Sequence, residues 1–128
     1  MAIEEVAGWL VVVDDDLKQV VNNLHGPMPS LSGAAYHCQQ AAEKLVKALL
    51  VQAGLAFPKT HDIAALVGLL PDSHRLKKAL NSLTKLTPYG VAYRYPAEDE
   101  WDVPSTETIE AWRSEIEALR QSFNAPLR

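Results

Sequence analysis

The 128-residue sequence contains a single cysteine, Cys38, and only four histidines, which are scattered along the chain. One thiol cannot form an internal disulfide bond, and it has no neighbouring cysteine with which to build a structural zinc site. The sequence therefore excludes a disulfide-stapled scaffold and indicates a reducing compartment. We expect neither a structural metal nor a cofactor.

Long apolar runs are also missing. No stretch reaches the roughly 18 apolar residues that a membrane-spanning helix needs. The amino-terminal segment carries Glu4 and Glu5 where a secretory signal would carry basic residues. The sequence has no internal repeat and no low-complexity tract. These features predict a cytoplasmic protein without membrane association.

The composition, with 48% apolar and 22% charged residues, is typical of one ordinary globular domain. A chain of this size buries about two-thirds of its unfolded surface when it folds. We therefore expect a single domain over residues 1–128.

Apolar residues at alternating steps of three and four predict amphipathic helices at both ends of the chain. The first helix covers about 22 residues and is stopped by the sequence His25-Gly26-Pro27. Its apolar stripe consists of Ile3, Val6, Leu10, Val13, Leu17, Val20 and Leu24. The last helix, with Ser105 as its N-cap, has the stripe Ile109, Trp112, Ile116, Leu119 and Phe123.

Three further helices are predicted between these two. The second covers residues 33–53, with Ser30 or Ser32 as N-cap and Gly54 just after its end. A short third helix over residues 62–70 has Thr60 as its N-cap, and a fourth covers residues 73–86. Pro88-Tyr89-Gly90 ends the fourth helix, and residues 88–104 are expected to form an ordered loop.

Five helical segments without a convincing strand predict an all-α, antiparallel, up-and-down bundle of four to five helices. The first, second, fourth and fifth helices are long enough to form its core, and the third is expected to be a short bridge between them.

The charges are unevenly distributed, although the net charge is only −4. Residues 44–94 contain eight basic and two acidic residues, whereas both flanking segments are acidic. Such a pattern can steer an anionic ligand, or it can pair the middle of the chain with its flanks in the folded state.

One face of the second helix carries polar side chains at steps of four, three and four: Tyr36, Gln40, Glu43 and Lys47. These residue types can hydrogen-bond a base or a ribose and present a cation to a phosphate. Alternatively, Glu43 pairs with Lys47 across one helical turn, while Tyr36 and Gln40 line a contact between helices or subunits.

Three sequence motifs occur in a fixed order: YHCQQAAEKLVKALL at residues 36–50, PKTHD at residues 58–62 and RYP at residues 94–96. Together they resemble the HEPN family (higher eukaryotes and prokaryotes nucleotide-binding domain). The resemblance implies a four- or five-helix bundle that is usually a homodimer and is often encoded beside a minimal nucleotidyltransferase. It also implies a metal-independent RNase activity in many members, supplied by an R-x(4–6)-H motif.

The sequence departs from that motif. Arg94 occupies the position of the arginine, but the three positions where the histidine would fall hold Asp99, Glu100 and Trp101. A phosphoryl-transfer site of this type needs an imidazole beside a fixed cation, so we predict that the RNase activity is absent. What remains is a binding hypothesis, because the resemblance brings the polar face of the second helix near His61 and the loop of Arg94. The candidate ligand-binding residues are Tyr36, Gln40, Glu43, Lys47, His61 and Arg94.

Three functions follow from these observations. The first is a dimeric, non-catalytic interaction module paired with a nucleotidyltransferase, as in toxin–antitoxin systems. The second is a divergent RNase in which His61 replaces the missing histidine, and the third is a sensor of a small nucleotide. His61 can act as a proton shuttle in the second case, although a histidine beside a first helical turn more often packs or satisfies a neighbouring group.

Four other features favour structural interpretations. Cys38 is expected to be a small buried residue at a close helix contact. The basic residues Arg75, Lys78 and Lys85 are expected to form a solvated face, although they can also contact phosphates. The acidic run at residues 98–102 lacks a second cluster that would complete a metal site. The tryptophans Trp9, Trp101 and Trp112 are expected to be core or interface anchors.

Overall fold

A computed structural model of the chain describes residues 2–92 and 103–124. All regular structure within these two ranges is helical, which confirms the all-α bundle. The elements in order are α1 (Ala2–His25), α2 (Leu31–Gln52), α3 (Ile63–Gly68), α4 (Lys77–Asn81), a 3-10 turn (Thr84–Leu86), α5 (Tyr89–Ala92) and α6 (Thr106–Asn124). No helix in the described ranges is long and apolar enough to cross a lipid bilayer.

Helix α2 is the centre of the bundle, since 16 of its 22 residues are buried. Its predicted stripe of small and apolar residues, from Ala34 to Leu49, lies in the core. The predicted ends are confirmed: the Ser30 hydroxyl accepts a hydrogen bond from the amide of Gly33, and Gly54 follows the helix with a φ of 73°. Few L-residues adopt that backbone conformation without strain, so glycine suits this position.

Helix α1 packs along α2 in the opposite direction, because Trp9 early in α1 lies near Lys47 late in α2, whereas Asp16 further along α1 contacts His37 near the start of α2. The stripe from Val13 to Leu24 is buried as predicted, but Ile3 is 78% exposed. The core contact of α1 therefore covers the carboxyl-terminal two-thirds of the helix.

One ion pair and one side-chain hydrogen bond fix α6 against α1. Arg120 donates two hydrogen bonds to the carboxylate of Asp14, at 2.8 and 2.9 Å, and His25 lies 3.0 Å from Glu110. The order of these contacts makes α6 antiparallel to α1. Ser105 caps α6 through the amide of Thr108, and the predicted apolar stripe of α6 is buried throughout.

The predicted long fourth helix over residues 73–86 is wrong. Its place is taken by α4, which has five residues, and by the 3-10 turn. The hydroxyls of Ser82 and Thr84 donate to backbone carbonyls three residues earlier, a local bonding pattern that competes with a continuous helix. The leucines at positions 76, 80, 83 and 86 are nevertheless all buried. Short segments thus fill the place of the fourth long helix.

Two local predictions also need correction. Thr60 is not the N-cap of α3: Asp62 is, and its side chain accepts a hydrogen bond from the amide of Ala65. Thr60 instead accepts a hydrogen bond from the amide of Asp62. The sequence Pro88-Tyr89-Gly90 does not simply break the chain, since α5 begins at Tyr89.

The charge asymmetry is in part satisfied within the fold. Lys44 pairs with the buried Asp16 of α1 at 3.0 Å, and Lys85 lies 3.5 Å from Glu115 of α6. These pairs join the basic middle of the chain to both acidic flanks, as expected if the charges of the middle segment pair with those of the flanks in the folded state.

Candidate functional site

Helix α2 buries four polar side chains. Gln39 is completely buried, Glu43 is 2% exposed, Gln40 8% and Lys47 9%. A polar side chain costs free energy when it leaves water unless it is hydrogen-bonded, and a charge costs more. The packing of such residues therefore depends on a complete network of partners.

Glu43 is the centre of that network. Its Oε1 accepts hydrogen bonds from Nε2 of Gln39 and from Nδ1 of His61, both at 3.0 Å. Its Oε2 accepts one from Nζ of Lys47 at 2.8 Å. The amide of Gln40 extends the network by donating to Oε1 of Gln39 at 2.6 Å. The carboxylate thus accepts hydrogen bonds from three donors. Two of them, Gln39 and Lys47, lie in α2, and the third, His61, lies in the turn before α3.

The network determines the charge state of its central carboxylate. Burial raises the pKa of Glu43, but the hydrogen bonds from Lys47, Gln39 and His61 outweigh it, and the net pKa lies below the usual 4.5. Glu43 is therefore ionised at neutral pH, and a carboxylate can only accept hydrogen bonds. It follows that Nδ1 of His61 carries the proton and that its other ring nitrogen is the one left for a ligand.

His61 is the member of the network that reaches solvent. Its side chain is 66% exposed, whereas that of Glu43 is 3% exposed. The other three histidines have partners elsewhere. His25 pairs with Glu110, His37 lies 2.9 Å from Asp16, and His74 accepts a hydrogen bond from the amide of Leu76.

Aromatic rings adjoin the same network. The ammonium of Lys47 lies 5.6 Å from the ring centroid of Trp9 and 5.9 Å from that of Phe57. The two rings contact each other edge to face, with their centroids 6.4 Å apart, and both side chains are half-buried. An ammonium within about 6 Å of an aromatic face is stabilised by the charge distribution of the ring. Lys47 therefore connects the carboxylate to two partly accessible rings.

Helix α5 approaches α2 closely at Gln39. A Cβ atom placed on Gly90 would lie 2.7 Å from Oε1 and 2.8 Å from Cδ of Gln39. Because Gln39 is buried and bonded on both sides, its amide has no free space in which to move. A glycine at position 90 is therefore required for α5 to pack against the side chain of Gln39.

The structure brings together four of the six candidate residues. Gln40, Glu43, Lys47 and His61 lie in one hydrogen-bonded network, and the predicted pairing of Glu43 with Lys47 is present. Tyr36 is half-buried one turn before Gln40, with its ring centroid 5.1 Å from that of His37. Arg94 lies outside the described residues, as do the three residues at the motif-histidine positions.

Sequence reasoning missed Gln39, Phe57 and Gly90 as site residues, and it assigned Trp9 to the core or an interface. Gln39 had a usable signal, since it lies one helical turn before Glu43, as Lys47 lies one turn after it. Trp9 and Phe57 are far apart in the sequence, and no local pattern indicates that they meet. Gly90 was interpreted as a helix breaker, because its neighbour Gln39 belongs to a different element.

The remaining candidates have structural roles. Cys38 is fully buried, and burial raises the pKa of its thiol to about 12, so it is not a nucleophile at neutral pH. The residues Arg75, Lys78 and Lys85 do not share one helix face, since α4 contains only the second of them. Within the two described ranges, no group of three or more histidine, cysteine or acidic side chains could hold a metal ion. The acidic run at residues 98–102 lies outside these ranges.

A comparison with models of protein families finds a match. The family model described as "HEPN domain" matches residues 8–124, which is most of the chain. No curated protein and no solved structure matches the sequence. The matched segment contains the whole polar network, from Trp9 to His61, and all of α6.

Proposed function

Because the chain belongs to the HEPN domain family, we propose that it is a non-catalytic HEPN module that binds a nucleotide or a short single-stranded RNA beside His61. The observation that carries this proposal is the hydrogen bond between Glu43 and His61. It fixes an exposed imidazole in one orientation on top of a buried, charged network.

The chemistry of the surrounding residues suits a nucleotide. The outer nitrogen of His61 can hydrogen-bond a phosphate or a ribose hydroxyl. The half-buried rings of Trp9 and Phe57 offer apolar surface to a base, which stacks on aromatic side chains with little sequence preference. Lys47 lies between the rings and Glu43 and supplies a positive charge next to the proposed phosphate position.

The rigidity of the network supports recognition more than stability. A buried ion pair often contributes no more to stability than apolar residues of the same volume. A fully bonded polar network does, however, hold its members in fixed positions, and binding to groups that are already ordered costs less entropy. A fixed imidazole above a fixed carboxylate is thus a suitable element of a binding site.

Calorimetric titration with ATP, GTP and a short single-stranded RNA tests the proposal. We expect saturable heat with at least one of them and an affinity at least about tenfold weaker for His61→Ala, which corresponds to one lost hydrogen bond to a charged group. His25→Ala is the matched control, since His25 is also exposed and also paired with a glutamate. No heat with any of the three at millimolar concentration would overturn the proposal.

The family resemblance extends the proposal to a protein partner. We propose that the module works with a minimal nucleotidyltransferase in a toxin–antitoxin-type system. Affinity purification of the tagged chain from its own cells should recover a protein of that class in a fixed ratio. Recovery of the chain without such a protein would contradict this part of the proposal and leave the ligand site unaffected.

The same hydrogen bond favours a second candidate function, a divergent metal-independent RNase. A carboxylate that holds Nδ1 of an imidazole orients the other nitrogen for proton transfer. In this case the purified protein would cleave single-stranded RNA in the presence of EDTA, and His61→Ala would abolish cleavage while His25→Ala would not. Intact RNA after prolonged incubation would exclude this function.

A further inference from the structure

A second cluster of charged side chains lies between α1 and α2, outside the network of Glu43. The buried carboxylate of Asp16 accepts a hydrogen bond from Nδ1 of His37 at 2.9 Å through Oδ1, and one from Nζ of Lys44 at 3.0 Å through Oδ2. We call these three residues the Asp16 cluster. The side chain of Asp16 is 8% exposed, that of His37 24% and that of Lys44 21%. The acceptor is therefore buried, whereas both donors reach the surface.

The Asp16 cluster repeats the arrangement around Glu43. In both places a histidine donates through Nδ1 to one carboxylate oxygen, and a lysine donates to the other. A pairing that only joined α1 to α2 would need the lysine alone. The second hydrogen bond also fixes the imidazole ring of His37 and leaves its other nitrogen facing away from the carboxylate.

The outer nitrogen of His37 is accessible to a ligand. Among the residues that the structure describes, no side-chain nitrogen or oxygen atom is both buried and without a hydrogen-bond partner. Within those residues Nε2 of His37 has no partner, so solvent reaches it. The ammonium of Lys44 has three donors, of which Asp16 takes one, so it also has donors left for a ligand.

The two clusters lie along the same side of the α1–α2 pair. Trp9 and Asp16 are seven residues apart, which is two turns of α1, so they share one face of that helix. Trp9 lies beside Lys47, and Asp16 lies beside Lys44, one turn earlier in α2. The separation along the helix is about 10 Å. A mononucleotide with its base on Trp9 and its phosphate near Lys47 therefore occupies only one of the two clusters.

We propose that the Asp16 cluster is a second subsite of the ligand site at His61, and that it binds the 2′-hydroxyl and the phosphate of a single-stranded RNA. This inference rests on the proposed function and narrows its ligand to an RNA of several nucleotides. At the spacing of about 3.4 Å per nucleotide in a stacked strand, roughly three nucleotides cover the distance between the clusters.

The hydrogen-bonding groups of the cluster select RNA over DNA. A neutral imidazole that donates through Nδ1 can only accept at Nε2, so the ligand must supply a donor to His37. Phosphodiesters have no donor, and the 3′-hydroxyl of an internal nucleotide is esterified. The 2′-hydroxyl is the backbone donor that remains, and DNA lacks it. Lys44, on the other oxygen of the same carboxylate, then donates to the adjacent phosphate.

The first test compares ligands with the unmodified protein. Calorimetric titrations at pH 8, where free imidazole is neutral, use AMP, GMP, the tetranucleotide r(AGAG) and its DNA counterpart d(AGAG). We expect r(AGAG) to bind at least about tenfold more tightly than either mononucleotide. We expect d(AGAG) to bind about fivefold more weakly than r(AGAG), which corresponds to one lost hydrogen bond.

The second test removes the outer nitrogen and keeps the inner one. In His37→Asn, the side-chain amide can still donate to Asp16 from the position of Nδ1, but nothing replaces Nε2. The affinity for r(AGAG) should fall to that for d(AGAG), while the affinities for AMP and GMP change less than about twofold. His25→Asn, at the contact between α1 and α6, is the control and should change none of the affinities. Circular dichroism checks that each variant is folded.

A third measurement needs no substitution. In proton–nitrogen NMR spectra of the unmodified protein, the ring signals of His37 should shift when r(AGAG) is added and stay in place when AMP or GMP is added. The signals of His61 should shift with all three ligands.

Two results would overturn the inference and leave the proposed function intact. One is equal affinity for r(AGAG) and d(AGAG), and the other is a His37→Asn variant that loses affinity for AMP, GMP and r(AGAG) to the same extent. Absence of heat with the mononucleotides and with both tetranucleotides would instead overturn the proposed function, and the second subsite with it.

Discussion

The carboxylate of Glu43 accepts a hydrogen bond from Nδ1 of His61 at 3.0 Å, which joins the buried centre of α2 to the exposed turn before α3. The two residues are 18 positions apart, and their side chains are 3% and 66% exposed. This contact is how the internal polar network reaches the surface.

Removal of the central charge should strongly destabilise the fold. Glu43→Gln leaves the ammonium of Lys47 buried without its carboxylate, and breaking a buried ion pair in this way costs about 3 kcal/mol or more. Urea unfolding monitored by circular dichroism measures this cost. Glu117→Gln is the control, since Glu117 is paired with Arg113 on the surface of α6 and should change stability by less than about 1 kcal/mol. Equal effects of the two substitutions would contradict the central role of Glu43.

The contribution of Glu43 should disappear in acid. Burial raises its pKa, but the three hydrogen bonds lower it further, so the folded-state pKa lies below the 4.5 of the unfolded chain. The stabilisation is therefore complete above pH 4.5 and is lost as the pH falls through the lower folded-state value. The stability difference between wild type and Glu43→Gln should be constant from pH 7 to pH 5 and shrink towards pH 3. A difference that grows in acid would mean that the pKa is raised instead.

Alanine substitutions at two glycines should have opposite effects on stability, because the space around the two positions differs. Gly90→Ala places a methyl group against the fixed amide of Gln39 and should destabilise the protein by about 1–3 kcal/mol. Gly8→Ala, in the middle of α1 where no atom lies within 4 Å of the new methyl group, should stabilise it by about 0.5–1 kcal/mol. Thermal unfolding of the two variants measures both effects. A neutral Gly90→Ala would show that Gln39 is free to move.

The buried thiol should be inert in the native protein. Cys38 is completely buried and its pKa is raised to about 12, so at pH 8 almost none of it is the reactive thiolate. We expect Ellman's reagent to react with less than one equivalent of thiol in the native protein over an hour and with one full equivalent in guanidinium chloride. Rapid reaction without denaturant would mean that the contact between α2 and its neighbours opens easily.

The long helices could be predicted from the sequence because each one buries a single stripe. The steps of three and four along α1, α2 and α6 depend only on residues of the same helix. The caps at Ser30, Gly54 and Ser105 are equally local. The region from Ser73 to Leu86 has the same apolar spacing, but its serine and threonine hydroxyls and its tight turns shorten α4. Periodicity alone does not distinguish a long helix from short helical turns that bury the same leucines.

The candidate site was only partly predictable for the same reason. The polar face of α2 is visible as a spacing pattern, and Glu43 and Lys47 could be paired from it. Gln39 lies one turn before Glu43 in the same helix and was predictable from the same spacing. That Gly90 packs against Gln39 depends on α5, and that Trp9 meets Phe57 depends on the packing of α1 against the chain that follows α2. Contacts between distant segments leave no periodic signal in the sequence.

In the proposed function, the outer nitrogen of His61 contacts a nucleotide or RNA ligand that the protein does not cleave. Two-dimensional proton–nitrogen NMR of the histidine rings, recorded while ATP, GTP or a short RNA is added, measures this most directly. We expect a saturable shift of the His61 signals, unchanged signals of His25 and His74, and a ligand that is intact at the end of the titration. Unchanged His61 signals with all three ligands, or cleaved RNA in the sample tube, would contradict it.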